Sequence, residues 1–324
     1  MLSRHFLRAK ALQAIYAGVT SKTTDVEEVV KMFEYNVQRL NNLGLLQLST
    51  LPQLAFVAER NMEAASQKFN PTEAEKNPSR NFVDNKIING INEGFEYRSL
   101  CDKMHIDWSN NPDIFRKIYN ALKSTKGFEA YIKSTNPSFE EDKNIALNAF
   151  KALMNEDTLR DLIADKDLLW DDDFDQIAQY VYMLVKDIKE EEINEAMYCP
   201  QVFDNRNEKD RADYNFALHL AKETMLHIDD NESLIRRHLQ NWDMERVALM
   251  DILLINMAIT EFTCCPSIPE RVTVDEYIEL SKEFSTEKSK LFVNGILDKI
   301  LIELRVAGKI EKDERGLYDP ELED

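Results

Sequence analysis

SKLFVNGILDKIL, residues 289–301, carries two signals that oppose each other. Leu291, Phe292, Val293, Ile296, Leu297, Ile300, Leu301 and, just beyond, Leu304 recur at i, i+3, i+4 spacing, the stripe of a helix that packs on a core. Asn294-Gly295 interrupts that stripe. Asn-Gly is a strong turn dipeptide, and glycine inside a helix costs about 1 kcal/mol relative to alanine. A helix that keeps Gly295 is therefore expected to need it, for the close approach of a neighbouring helix where a Cβ would clash.

Working outward, the flanking segments are helical too. Thr273-Val-Asp-Glu276 reads as a capping box for a helix that ends near Phe284. Before it, CCPSIPER is a proline-marked loop, and MERVALMDILLINMAITEF, 244–262, is apolar nearly all round, as a central core helix must be. Helices over 212–227 and 231–240 precede it. Gly308 is expected to end the last helix, with the acidic stretch beyond it frayed and solvated. At the other end, 3–18 form an amphipathic helix with Phe6, Ala9, Gln13 and Tyr16 on one side and Arg4 and Arg8 on another. A second helix spans 25–48. A polar loop covers 66–81, and further helices lie near 82–105, 112–134, 139–165 and 171–197, with Asn-Pro breaks at 111–112 and 136–137. DDDFD, 171–175, suits a helix start, where acids complement the dipole. Residues 199–211 read as a loop.

The bulk numbers agree with an all-α protein: 324 residues, 44% hydrophobic, with only eight glycines and nine prolines. No segment approaches 18 uncharged apolar residues, so no membrane span is expected. The basic, apolar start resembles a leader, but Arg8 and Lys10 interrupt it, and it reads as mature helix. Cys101, Cys199, Cys264 and Cys265 form no CxxC pair, and reduced thiols in a cytoplasmic protein are the simplest account. Five scattered histidines give no zinc-ligand spacing, and no phosphate-cradling glycine loop or nucleophile motif appears, so neither a metal nor an enzyme is expected. A net charge of −19 and a pI near 4.8 argue against nucleic-acid binding by the molecule as a whole. Yet the first 24 residues hold Arg4, Arg8, Lys10 and Lys22 and no acid. That is either a basic binding end or a charged, exposed helix face.

Residues 269–301 resemble the C-terminal signature of the NusB family, through Pro269, Val272, Glu276, Glu279, Leu280, Lys282, Phe284, Ser289, Phe292, Val293, Asn294, Gly295, Leu297, Asp298 and Lys299. Upstream, Trp242, Arg246, Asp251, Ala258 and Glu261 are similar to its central helix, and Arg8, Ala11, Gln13, Ala14 and Tyr16 to its first. The resemblance covers roughly 1–19 and 210–305. It divides the chain into a first core helix (1–19), an inserted helical region (20–209), a C-terminal bundle (210–307) and an acidic tail (308–324).

The resemblance implies an all-α, NusB-like antitermination fold of packed bundles and a cytoplasmic factor without cofactor or reaction. It implies binding of a single-stranded boxA-type RNA together with the small-subunit ribosomal protein NusE, within the RNA polymerase antitermination complex. Arg4, Arg8, Lys10, Gln13 and Tyr16 would then serve phosphates and bases, with Lys288, Lys290 and Phe292 opposite them, and Asp251 would contact the protein partner. Arginine suits phosphate by bidentate pairing, and an exposed aromatic offers a stacking platform. Phe292 and Tyr16 each have a rival reading as core aromatics. His5, Phe6 and Leu7 make the first helix less basic than in relatives, so weak RNA binding, strengthened by the ribosomal partner, is expected. Two other readings compete: a helical scaffold that keeps this core without RNA binding, and a regulatory domain of an RNA-modifying enzyme.

Overall fold

The computed structural model describes residues 3–167, 169–193, 208–239 and 247–317, and among them the regular structure is helical, with no strand. In chain order the helices are α1 (Arg4–Thr20), α2 (Val26–Ser66), α3 (Glu73–Lys76), α4 (Lys86–Glu93), α5 (Phe95–Lys103), α6 (Pro112–Lys123), α7 (Lys126–Lys133) and α8 (Phe139–Met154). There follow α9 (Asp157–Ala164), α10 (Trp170–Asp187), α11 (Glu208–Leu226), α12 (Ile228–His238), α13 (Leu249–Cys264), α14 (Glu270–Phe284) and α15 (Ser289–Val306). None is long and apolar enough to cross a membrane. The chain divides into two compact units, Met1–Val37 with Phe203–Asp324, and Gln38–Val202.

The first unit is built around α13. Leu253, Leu254, Ile255, Met257, Ala258, Ile259 and Phe262 are all buried, as expected for a helix apolar on every side. Leu7, Leu12 and Ile15 of α1, Leu220 of α11, Tyr277 and Leu280 of α14, and Val293, Ile296, Leu297 and Ile300 of α15 complete the same core. Burying side chains of this size contributes roughly 1.5–3 kcal/mol each, so this core dominates the unit's stability. α13 starts at Leu249, not 244, and residues 244–246 lie outside those described.

The second unit has its own aromatic core, in which Phe82, Tyr119 and Phe128 pack together with ring centroids 5.2–6.0 Å apart. Its polar centre is Asn85, whose Oδ1 accepts from the Ile87 and Ile88 amides at the start of α4 and whose Nδ2 donates to Tyr131 and the Asp142 carbonyl. Where the periodicity predicts one helix over 82–105, Gly94 separates two. Breaks at 124–125 and 155–156 likewise divide the helices expected over 112–134 and 139–165. Pro112 opens α6, where its missing N–H removes nothing. α2 runs on through Pro52 to Ser66, beyond the predicted end at 48. α3 forms a single capped turn inside the predicted loop.

Three local readings at the C-terminal end need correction. Thr273 is no cap: α14 starts at Glu270 behind Pro269, and the Thr273 hydroxyl donates to Glu261 from inside the helix. A Cβ placed on Gly295 would meet nothing within 4 Å among the described residues, so none of their helices approaches there and the close-approach explanation finds no support. The described part of the tail is docked and not frayed: the Lys312 ammonium donates to the Glu261 and Cys265 carbonyls, and the Asp313 amide to the Pro266 carbonyl. Gly316 lies so close to Pro266 that a Cβ would fall 2.0 Å from its carbonyl oxygen. Gly308, at φ +65°, ends α15 as expected, and the Lys309 amide reaches back to the Leu304 carbonyl.

Candidate nucleic-acid interface

The basic residues of α1 point into the unit. Arg8 is 1% exposed, and its Nε and Nη2 donate to the two carboxylate oxygens of Glu261 at 2.8 and 2.7 Å. Glu261 also accepts from Thr273 at 2.9 Å and from Tyr277 at 3.2 Å, so one buried carboxylate joins α1, α13 and α14. Burial alone would lower the Arg8 pKa, but the attraction of Glu261 outweighs it and holds the guanidinium above its usual range. Burial, reinforced by the same carboxylate, keeps the Tyr277 hydroxyl protonated far above its ordinary value. Withdrawing Arg8 to meet a phosphate would leave Glu261 buried and uncompensated, at about 3–5 kcal/mol. That exceeds what a surface contact returns, so the expectation that Arg8 contacts RNA is corrected: it is a core ion pair.

The other α1 residues follow in part. Arg4 pairs with Asp213 at 2.7 Å and lies over the Phe216 ring. Lys10 is buried, donates to Gln13 at 2.9 Å and sits over Phe6. Gln13 is half-buried, and Tyr16 is exposed. His5 hydrogen-bonds Glu276 at 2.8 Å and Glu283 at 3.0 Å. Burial opposes protonation of that imidazole, but the two carboxylates outweigh it and raise its pKa.

The start of α15 presents a different surface. A cavity of about 550 Å³ opens there between Val247, Asp251, Thr286, Lys288, Ser289, Leu291 and Phe292. Its floor is hydroxyl-rich: Ser289 Oγ donates to Asp251 at 2.9 Å and lies 2.9 Å from both Ser285 Oγ and Thr286 Oγ1. Asp251 is 5% exposed, and its Oδ1 has no hydrogen-bond partner among the described residues. It therefore anchors the first turn of α15 through Ser289, while it also lines the cavity. Lys288 and Lys290 are exposed and make no ion pair among the described residues, and Leu291, next after Lys290, is 74% exposed. Phe292 is buried and belongs to the core, with the cavity at its side. Leu291 was not legible as a surface residue from the sequence, because its place in the apolar stripe gave no sign that it would face outward. Of the expected set, Lys288 and Phe292 line this cavity, and Lys290 is exposed on the same turn.

The NusB family model matches residues 174–301, from within α10 to the last turn and a half of α15. Among similar proteins, the transcription antitermination protein NusB of Salinibacter ruber is 39% identical over 34% of this chain and 69% of its own length. The protein of that name from Desulfatibacillum aliphaticivorans is 40% identical over 31% of this chain and 68% of its own. That of Chloroherpeton thalassium is 36% identical over 32% and 50%. No solved structure matches. Helices α11 to α14 and the signature that opens α15 beside the cavity thus fall in the region that the family model matches, and the chain belongs to the NusB family.

Proposed function

We propose that this protein is a transcription antitermination factor that binds a single-stranded, boxA-type RNA together with the ribosomal protein NusE, and that the start of α15 is its RNA face. The observation that carries the reading is the contrast between the two basic clusters. Arg8 is held in a buried ion pair, whereas Lys288 lines an open cavity, Lys290 is exposed on the same first turn of α15, and no carboxylate is paired to either among the described residues. Phosphate contacts require cations free to exchange water and counterions for the ligand. Leu291, exposed beside Lys290, adds an apolar surface for an unstacked base. Tyr16 is available as a second contact, and Arg4 only if it leaves Asp213.

Binding of labelled boxA-type RNA, followed by fluorescence anisotropy with and without NusE, tests this reading. Replacing Lys288 and Lys290 by alanine is expected to weaken binding and to flatten its salt dependence by roughly 0.7 per phosphate contact removed. A helical scaffold without RNA binding is the second reading, favoured by the burial of Arg8 and the net charge of −19. Absence of RNA binding from folded protein, with NusE present, would establish it in place of the first.

A further inference from the structure

α11 carries a repeat of potential metal ligands that the RNA reading does not use. His219 and Glu223 are four residues apart on one helix face, and His227 follows at the next step of four, in the joint between α11 and α12. Glu223 sits between the imidazoles, with Oε1 3.8 Å from His219 Nδ1 and Oε2 3.5 Å from His227 Nε2. Cys264, the last residue of α13, comes up against them. One ligand atom each of Glu223, His227 and Cys264 lies within 4.8 Å of the other two. Ligand atoms around a tetrahedral zinc ion are roughly 3.3–3.8 Å apart, given metal–ligand bonds of 2.0–2.3 Å. Side-chain torsions alone can close a difference of that size.

His219 adds an independent observation. Its Nε2 lies 3.1 Å from the Cys264 carbonyl oxygen. A carbonyl only accepts, so Nε2 donates to it, and Nδ1 on the other side of the ring faces the Glu223 carboxylate at 3.8 Å. The link from His219 to the backbone of a ligating cysteine is also the kind of outer contact that orients metal ligands. Access is open on the other side, where a cavity of about 610 Å³ is lined by His227, Thr263, Cys264, Lys309 and Glu311. Cys264 is half-buried at its edge. Its neighbour Cys265 is buried, and burial pushes that thiol up to about 12, which leaves it protonated and out of the set.

We propose that Glu223, His227 and Cys264 bind a divalent transition metal of the zinc class, with His219 as a positioning residue. One thiolate, one imidazole and one carboxylate form a mixed set that suits zinc better than a hard, oxygen-seeking ion such as magnesium. Coordination displaces the Cys264 thiol proton to solvent, so affinity rises with pH. A metal bound here pins the α11–α12 joint to the end of α13. The sequence hid the site because its histidine spacing becomes a ligand set only when the fold delivers Cys264 from 37 positions further on.

The test is a titration of the full-length, reduced, chelator-stripped protein with Co²⁺, followed by its displacement with Zn²⁺. One equivalent of Co²⁺ is expected to bind and to give a thiolate-to-cobalt charge-transfer band. That band should vanish in C264S and persist in C265S. H227A should weaken binding by more than the roughly 10–100-fold that loss of an outer contact costs, and H219A by an amount within that range. Apart from that of Cys265, the replaced side chains are half-buried or exposed, so the metal-free melting midpoints of the C264S, H227A and H219A proteins should stay close to that of the parent. E223Q, which keeps the shape and removes the charge, gives a second measure should C264S fold poorly. Absence of saturable binding in the parent protein, or a band that survives C264S, overturns the proposal.

Discussion

At the scale of single residues, Arg8 and Glu261 carry most of the argument. Arg8→Ala is expected to lower the unfolding free energy by about 3–5 kcal/mol, because it leaves a buried carboxylate with only hydroxyl partners. Arg8→Lys should restore little, since an ammonium cannot reproduce the two-pronged contact. Urea denaturation checks both, and an Arg8→Ala protein of unchanged stability would return Arg8 to the list of RNA contacts. His5 gives a pH signature. Its folded pKa lies above its ordinary 6.5, so its stabilising contribution is fully present below about 6.5 and is lost as pH rises through the higher folded value. Melting midpoints measured across that window should fall more steeply in the parent protein than in His5→Gln. Matching slopes would show that the contacts to Glu276 and Glu283 contribute nothing.

At the scale of elements, the glycines separate two situations that look alike in sequence. Gly295→Ala should stabilise α15 by roughly 0.5–1 kcal/mol, because the added Cβ meets open space and the unfolded chain loses freedom. Destabilisation in a denaturant titration would mean that another chain segment or partner does approach there. Gly316→Ala should act in the opposite way and displace the tail from Pro266. Limited trypsin digestion should then cut faster after Lys309, Lys312 and Arg315, and unchanged cleavage would contradict the docked tail. Periodicity made α13 and α15 legible because their stripes are long and strong. It failed at the Thr273 capping box because Pro269 had already opened the helix, and at Pro52 because α2 continues through a residue that usually ends one. The ordered tail was invisible because an acidic, glycine-containing stretch gives no sign of the carbonyls at Glu261, Cys265 and Pro266 that receive it.

At the scale of the whole molecule, the net charge of −19 sets the terms. Such a protein repels RNA at long range, and the basic first helix that offset this in the sequence reading is largely paired within the first unit. The family was legible from residues 269–301, and the fold class from composition and periodicity. Which cations remain free was not, because the partners of Arg4 and Arg8 are 209 and 253 positions away in sequence. The second unit, residues 38–202, lies mostly outside the region matched by the family model, which begins at 174.

The central claim is that the start of α15, and not α1, meets RNA. Its most direct test is the anisotropy of labelled boxA-type RNA across a salt series, with NusE present, for the parent protein, the Lys288→Ala, Lys290→Ala double variant and Arg4→Ala. The account predicts steeply salt-dependent binding that the double variant loses and that Arg4→Ala changes little. Binding that survives the double variant but fails in Arg4→Ala would contradict it.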